Sequence, residues 1–248
     1  MLKQVEGIVL KTRDYGETHK IITIFTKQMG KLTAIARGAN KPKSKLSSLS
    51  QVFIRGEFLI YVTKGLSTLQ QGGIIKSHRH IRENIEKTAY ASYIIELTDK
   101  LLEQSEPDPF IYDQLCQTLD WINEKELFMI PVMMYEMKMY KKGGFAPIVD
   151  QCVNCGKKEH PFIFSIQEGG LLCVECSHLD HRAIRLENSM SRLMTIFGSV
   201  GLERVGNISV KEKNIQLLRT LLNHYYDQYG GYVLKSRKFL SQLDLFNE

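Results

Sequence analysis

Two pairs of cysteines with the same internal spacing constrain the fold of this 248-residue chain more than any other feature. The first pair is Cys152 and Cys155, and the second pair, seventeen residues further on, is Cys173 and Cys176. Two CxxC pairs at this separation are typical of a structural zinc site, because each tight turn supplies two thiolates to a tetrahedral ion. Four thiolates leave no open position for water, so the expected cofactor is one structural Zn²⁺ without a catalytic role.

Two alternatives to a zinc site stay open at this point. The four cysteines could be ordinary buried residues, or they could form two disulfides. The nearby His160, His178 and His181 are alternative ligands, although four cysteines already fill the coordination shell and favour exposed loop positions for the histidines. A zinc deaminase is excluded, because it needs a His-x-Glu pattern and His160 is followed by Pro161 and Phe162.

The residues around the cysteines predict a zinc ribbon. Gly156 allows the chain to reverse after the first pair, the segment 161–165 is rich in strand formers, and Gly169 with Gly170 predicts a hairpin turn. We place this ribbon at about residues 148–182, as an insertion into a longer domain.

Charge is distributed unevenly along the chain. Residues 1–80 contain 14 basic residues against 4 acidic ones, whereas residues 81–248 contain 19 against 23. A strongly basic first third favours a polyanionic partner over the alternative of a merely solvated basic surface.

Short β-rich segments separated by turn residues fill the first 80 residues. Five such segments with a long basic loop at 37–45, between the third and the fourth, predict a small OB-type barrel, with an SH3-like barrel as the competitor. The predicted strands are 5–11, 20–27, 31–37, 51–63 and 66–75, with a turn at 13–17.

From residue 81 onward the apolar residues recur at helical spacing. Asp108 and Pro109 predict a helix start, and the pattern Ser-x-x-Glu from Ser209 to Glu212 predicts a capping box. We assign Cys116 and the methionines of 126–142 to the core, with a partner-binding groove as the alternative for the methionines. The predicted helices are 81–101, one from 109 through 122, 126–142, 189–197, one that the capping box opens and that Gly230 and Gly231 stop, and 235–245.

These elements predict an α+β protein of two domains. Residues 1–80 form the OB-type barrel, and residues 81–248 form an α-helical domain that contains the four-cysteine ribbon. Motifs for phosphate binding, acyl transfer and metalloproteolysis are absent from the sequence, so we assign no catalytic residue and expect a binding protein. Because neither a signal-peptide core nor an apolar run of ~18 residues occurs, we expect a cytoplasmic location.

A basic barrel binds single-stranded nucleic acid through two kinds of side chain. Cations neutralise phosphates and aromatic rings stack on bases, so binding depends on salt and hardly on base sequence. The predicted phosphate-binding residues are Arg13, Arg37, Lys41, Lys43 and Lys45. The candidate stacking residues, for which filling of the barrel is the alternative, are Tyr15, Phe53, Phe58 and Tyr61.

The order of these motifs resembles the bacterial recombination and repair family RecO, in its zinc-containing branch. The two cysteine pairs contribute to the likeness, which covers nearly the whole chain. The other matching segments are 7–10, 15–17, 25–26 with Gly30, 36–39 leading to 43–44, 143–147 and 235–240.

The resemblance implies a DNA repair and recombination mediator with an OB-fold domain, a helical domain and a zinc finger. It implies binding of single- and double-stranded DNA, annealing of complementary strands and association with the nucleoid. The implied partners are RecR, the C-terminal tail of single-stranded-DNA-binding protein and, indirectly, RecA, which is loaded onto coated DNA. Two rival functions stay open: an RNA- or ribosome-associated OB-fold protein, and a scaffold that binds only proteins.

Overall fold

The structure is a computed structural model that describes residues 1–159, 161–205 and 210–247. Residues 1–126 and the segment that begins at Leu234 form one compact unit, and residues 127–233 form another. The domain boundary predicted at residue 80 and the ribbon bounds at 148–182 remain predictions. Within the described ranges, no helix combines the length and the apolar character that a membrane span requires.

Eight helices lie in the described part of the chain. In chain order they are α1 (Lys45–Leu49), α2 (Arg79–Glu83), α3 (Ile85–Leu101), α4 (Pro109–Glu124), α5 (Met129–Lys142), α6 (Asn188–Ser199), α7 (Glu212–Tyr229) and α8 (Lys235–Asn247).

Five strands of the first unit close into a barrel in the order β1-β2-β3-β5-β4. Strand β1 pairs with β4 through its first half and with β2 through its second half, and β3 closes the barrel by running parallel to β5. This order is that of an OB-type barrel, so the predicted fold class is confirmed. The strands are β1 (Leu2–Tyr15), β2 (His19–Thr26), β3 (Gly30–Ala36), β4 (Arg55–Tyr61) and β5 (Ser67–Lys76).

The barrel core forms because alternate side chains of each strand point inward. Val9, Ile22, Ile24, Phe58 and Ile60 meet there and are almost completely buried. These residues come from three of the five strands, β1, β2 and β4, and the apolar alternation of the sequence already indicates them.

The turn between β2 and β3 requires glycine at one position. Gly30 has a φ of +68°, which L side chains rarely adopt, and a Cβ atom there would lie 2.2 Å from the backbone oxygen of Glu106. The turn thus fits closely against the segment before α4, within the same unit.

Two predicted features of the barrel are wrong. The turn predicted at 13–17 belongs partly to β1, because Arg13 pairs with Ile21 and Tyr15 pairs with His19 of β2. The strand predicted from residue 51 begins only at Arg55, since Phe53 has a φ of +71° that interrupts extended backbone.

Helix α3 begins later than the apolar pattern predicts. The pattern suggests one helix over 81–101, but Asn84 separates α2 from α3 and its side chain accepts a hydrogen bond from the backbone N–H of Lys87 at 3.0 Å. Asn84 is therefore an N-cap inside the predicted helix. The predicted cap of α4 is confirmed, because Asp108 accepts from the N–H of Ile111 at 3.0 Å.

Helix α8 is also capped within the first unit. The carboxylate of Glu96 on α3 accepts hydrogen bonds from the backbone N–H groups of Lys235 and Ser236, at 3.1 and 2.8 Å. Because helix N-terminal N–H groups lack partners of their own, this carboxylate fixes the start of α8 against α3.

The second unit combines three helices with a small antiparallel sheet in the order β7-β6-β8. Strands β6 (Phe162–Ser165) and β7 (Gly170–Cys173) form the predicted hairpin, and β8 (Ile184–Arg185) pairs with β6. Helix α5 begins at Met129 and not at residue 126, with Pro131 in its first turn. Helix α7 begins after Lys211 without a side-chain cap, and Ser209 of the predicted capping box lies outside the described residues.

The core of the second unit contains the methionines of α5. Met133, Met134, Met137 and Met139 are each at most 2% exposed, so the assignment of these methionines to the core is confirmed and Met129 alone is half-buried. Cys116 in the first unit is likewise buried, and burial raises the pKa of its thiol to about 12.

Buried charges of the second unit are fully bonded. Glu136 on α5 is fully buried. Its carboxylate accepts hydrogen bonds from the two terminal guanidinium nitrogens of Arg219 on α7, at 2.5 and 2.6 Å. Lys138 donates to the backbone oxygens of Phe197 and Val200, at 3.3 and 2.7 Å, at the C-terminal end of α6. Burial lowers the pKa of this lysine to about 8, against the opposing charge of Glu203.

Candidate metal centre and nucleic-acid interface

The four predicted ligands come together at one end of the small sheet. The Sγ atoms of Cys152, Cys155, Cys173 and Cys176 all lie within 4.8 Å of one another. All four are free thiols, and Sγ of Cys155 lies 3.6 Å from Sγ of Cys173, far beyond a disulfide bond of about 2.05 Å. The disulfide alternative is therefore wrong for this structure.

The distances between the sulfurs fit a tetrahedral metal ion. Four sulfurs at about 2.3 Å from a central zinc ion are separated from each other by about 3.8 Å, which agrees with the observed cluster. Burial opposes ionisation of Cys152, but the backbone N–H groups of Cys155, Cys173 and Asn154 lower the pKa of its thiol to about 6. Ionised thiolates are the form that binds metal.

The first cysteine pair lies in a tight turn that its own backbone closes. The N–H of Cys152 donates to the oxygen of Lys157 at 2.8 Å, and the N–H of Gly156 donates to the oxygen of Cys152 at 2.9 Å. Gly156 has a φ of +72°, as the sequence predicts for a chain reversal. Asn154 also donates from Nδ2 to Sγ of Cys176 at 3.4 Å, which joins the two pairs.

Aromatic residues of α7 hold the hairpin that carries the second pair. Phe164 of β6 packs against Tyr225 with ring centroids 6.1 Å apart. The hydroxyl of Tyr229 donates to the backbone oxygens of Ile166 and Gln167, at 2.8 and 2.9 Å. The cluster therefore rests on a braced scaffold within its own unit.

The histidines do not join the cluster. His178 and His181 are exposed, and Nδ1 of His178 is bonded to the backbone oxygen of Glu175 at 2.9 Å. His160 lies outside the described residues. Within the described ranges the candidate metal site thus consists of the four cysteines.

All five predicted phosphate-binding residues are exposed on the barrel. Arg13 lies on β1, Arg37 follows β3, Lys41 and Lys43 lie in the loop after it, and Lys45 begins α1. None of the five makes an ion pair with any residue that the structure describes. Within the described ranges, their charges are therefore not neutralised by acidic side chains.

Three hydrogen bonds hold this basic loop, residues 37–45, against the hairpin of β1 and β2. The N–H of Gly38 donates to Nδ1 of His19 at 2.9 Å, and the N–H of Asn40 donates to the oxygen of Thr18 at 2.9 Å. The side chain of Asn40 donates from Nδ2 to Oδ1 of Asp14, also at 2.9 Å. These bonds bring the loop next to the strand that carries Arg13.

The four candidate stacking residues divide into two kinds. Phe53 and Phe58 are at most 4% exposed and fill the barrel, so they are unavailable for stacking on bases. Tyr15 and Tyr61 are 51% and 50% exposed. Tyr15 ends β1 opposite His19, beside the basic loop, and Tyr61 ends β4.

Sequence reasoning missed the residues that position the basic loop. His19, Thr18, Asn40 and Asp14 make bonds across 19 to 26 positions of sequence, and no local pattern indicates such pairs. It also missed a surface cleft of about 460 Å³ beside Lys45, which Leu46, Gln70 and Gln71 help to line.

A five-stranded OB-type barrel with an exposed basic loop, followed by a helical region that contains a four-cysteine cluster, defines an OB-fold protein with a ribbon that could hold a metal ion. Comparison with known proteins agrees with this class. The model of the recombination protein O N-terminal domain matches residues 1–78, and the model of its C-terminal domain matches residues 82–238.

Relatives that match over nearly the whole chain are also RecO proteins. A protein of Oceanobacillus iheyensis named DNA repair protein RecO is 54% identical over 246 residues, which covers 99% of this chain and 95% of the relative. Proteins of that name from Bacillus cereus and Bacillus anthracis are 45% identical over 246 residues, 99% of both chains. The chain belongs to the RecO family, and the resemblance found in its sequence is confirmed.

Proposed function

We propose that this chain is a DNA repair and recombination mediator that binds single- and double-stranded DNA through the basic face of its barrel. Its relatives are named for DNA repair, and its family is named for recombination. The observation that carries the proposal is a set of five exposed cations without ion pairs among the described residues, four of them in the basic loop that is bonded to the hairpin of β1 and β2 and the fifth, Arg13, on β1. Such a surface neutralises phosphates without reading bases.

The same surface supports annealing of complementary strands. Cations on the barrel offset the repulsion between two phosphate backbones, and base pairing itself supplies the free energy, so no nucleotide hydrolysis is required. We accordingly propose a mediator and not an enzyme, with no catalytic residue.

Membership of the family supports the proposed partners. They are RecR, single-stranded-DNA-binding protein through its C-terminal tail and, indirectly, RecA, which the chain helps to load onto coated DNA. We assign no residue to these partners. A cytoplasmic, nucleoid-associated location follows from binding to chromosomal DNA.

The proposed cofactor is one Zn²⁺ held by Cys152, Cys155, Cys173 and Cys176. The sulfur cluster has the size that zinc requires, and four thiolates give a closed structural site. When bound, the ion crosslinks two turns of the ribbon. The residues of the chain otherwise brace the site through the hairpin and Tyr229.

The first experiment measures annealing of two labelled complementary oligonucleotides coated with single-strand-binding protein, at two salt concentrations. We expect the chain to accelerate annealing, and the acceleration to fade as salt rises. No acceleration by folded, zinc-loaded protein would remove annealing from the proposal. Tighter binding of RNA than of DNA of equal sequence would favour the RNA-associated alternative.

A charge-reversal triple tests the interface itself. In Lys41→Glu with Lys43→Glu and Lys45→Glu, we expect at least about tenfold weaker binding and a salt dependence reduced by about 2 in log–log slope. The matched control reverses the exposed Lys100, Lys125 and Lys158, which gives the same net charge. Equal losses in both triples would show a general charge effect and contradict the assignment of this loop.

A further inference from the structure

An acidic residue lies within the basic face of the barrel. Asp14 sits between Arg13 and Tyr15 on β1, and its side chain is 70% exposed. By charge alone, a carboxylate at this place opposes binding of a phosphate backbone. Its contacts give it a different role.

The carboxylate of Asp14 bonds to the basic loop and to the neighbouring strand. Its Oδ1 accepts from Nδ2 of Asn40 at 2.9 Å and from Nζ of Lys20 at 2.9 Å. The bond from Asn40, and then the bond and charge of Lys20, lower the pKa of Asp14, so it remains an ionised acceptor. Asn40 lies between Arg37 and Lys41, the first two cations of the loop.

The backbone geometry of the loop makes this bond important. Gly38 has a φ of +71° and Lys43 has a φ of +61°, so the loop follows a left-handed path at two positions. Ala39 is fully buried in the barrel core, but the residues on either side of it in the loop are exposed or half-buried. The hairpin holds Asn40 at two points. The backbone N–H of Asn40 donates to the oxygen of Thr18, and its side chain donates to Asp14.

We propose that Asp14 is a positioning residue of the nucleic-acid interface, which holds the basic loop through Asn40 and so strengthens binding of a polyanion despite its own negative charge. A loop that is already ordered loses less conformational freedom when it binds a ligand. The inference rests on the proposed DNA binding by the same loop.

The test is whether Asp14→Ala strengthens or weakens binding of single-stranded DNA. Asp14→Ala removes a negative charge and frees Lys20, so electrostatics alone predicts tighter binding of single-stranded DNA. Positioning predicts binding about threefold to fivefold weaker, because the loop loses its side-chain bond. Affinity for a labelled oligonucleotide of mixed sequence, measured by fluorescence anisotropy with the full chain at low salt, decides between them.

Two further variants identify the cause. Asp14→Asn keeps an oxygen acceptor for Asn40 and removes the charge, so we expect binding at least as tight as that of the wild type. Asn40→Ala removes the donor and keeps the negative charge of Asp14, so we expect a loss at least as large as in Asp14→Ala, and adding Asn40→Ala to Asp14→Ala changes binding little because the bond between the two residues is already broken. Equal weakening by Asp14→Asn and Asp14→Ala would overturn the role of the hydrogen bond.

Glu17 provides the matched control. It is an exposed acid in the turn after β1, and it makes no ion pair with any residue in the described ranges. Glu17→Ala therefore changes charge by the same amount without breaking a bond, and we expect slightly tighter binding. If Asp14→Ala behaves like Glu17→Ala, or binds as the wild type does, the inference is wrong while the proposed interface stands. If the triple variant with Lys41→Glu, Lys43→Glu and Lys45→Glu binds DNA as tightly as the wild type does, the proposed interface itself is wrong.

Discussion

The basic loop of the barrel and the unit of residues 127–233 use charged side chains in opposite ways. The cations of the basic loop face solvent without ion pairs among the described residues, whereas Arg219 and Lys138 are bonded inside their unit. The four cysteines of that unit likewise turn toward one another. Similar residue types are thus exposed without ion pairs in one region and bonded in the interior of the other, and a count of charges along the chain does not separate the two.

The largest effect on stability is expected at the four-cysteine cluster, the proposed metal site. Cys152→Ser removes one of the four proposed zinc ligands and should cost several kcal/mol of the unfolding free energy of residues 127–233, because metal binding contributes directly to folding. DNA binding by the barrel should be partly retained. Zinc content and thermal unfolding check this, and Cys116→Ser, outside the cluster, is the control that should keep one zinc per chain. A Cys152→Ser chain that retains its zinc would contradict the ligand set.

The next effect concerns the buried ion pair. Arg219→Met leaves the carboxylate of Glu136 buried without its partner, and we expect a loss of about 3–5 kcal/mol in urea unfolding. Replacing both residues, with Glu136→Leu added, should recover most of that loss because no charge remains buried. If the single change proves harmless, the contrast between inward and outward charges is weaker than the structure indicates.

A smaller effect, which depends on pH, is expected at Lys138. Burial lowers the pKa of Lys138 to about 8 in the folded chain, from an ordinary lysine value of 10.5, so the unfolded chain holds more protons between these values. Stability therefore rises with pH across that interval. Relative to Lys138→Met, the wild type should gain roughly 1 to 2 kcal/mol between pH 7.5 and 9.5. Parallel pH profiles of the two proteins in urea unfolding would refute this.

The smallest effect on stability is expected in the basic loop. Changing Lys41, Lys43 and Lys45 to Ala should alter the unfolding free energy by less than about 0.5 kcal/mol, because exposed side chains without partners contribute little. DNA affinity should fall in the same protein. Thermal unfolding and anisotropy on one sample give both values, and a large loss of stability would mean that these lysines support the fold.

Local patterns were sufficient to predict the elements that depend on neighbouring residues. The alternation of apolar residues predicted five strands, Asp108 with Pro109 predicted the start of α4, and the cysteine spacing predicted the sulfur cluster. Each of these is determined by positions a few residues apart, or by two such patterns that meet.

The features that sequence reasoning missed depend on distant partners. Strand β1 continues through Arg13 to Tyr15 because β2 pairs with it, not because those residues favour strands. The bond from Asn40 to Asp14 and the pair of Glu136 with Arg219 join residues 26 and 83 positions apart. Local patterns in one sequence do not indicate such distant pairs, so the hydrogen bond that holds the basic loop is visible only in the fold.

The return of α8 to the first unit has a consequence for synthesis on the ribosome. Glu96 on α3 is made early, but the N–H groups that it caps, at Lys235 and Ser236, are made after the whole of residues 127–233. At the usual speed of translation that interval lasts roughly 5 to 20 seconds. During this time the barrel has already emerged while α3 still awaits its last neighbour, so a nascent chain exposes the surface that α8 later covers.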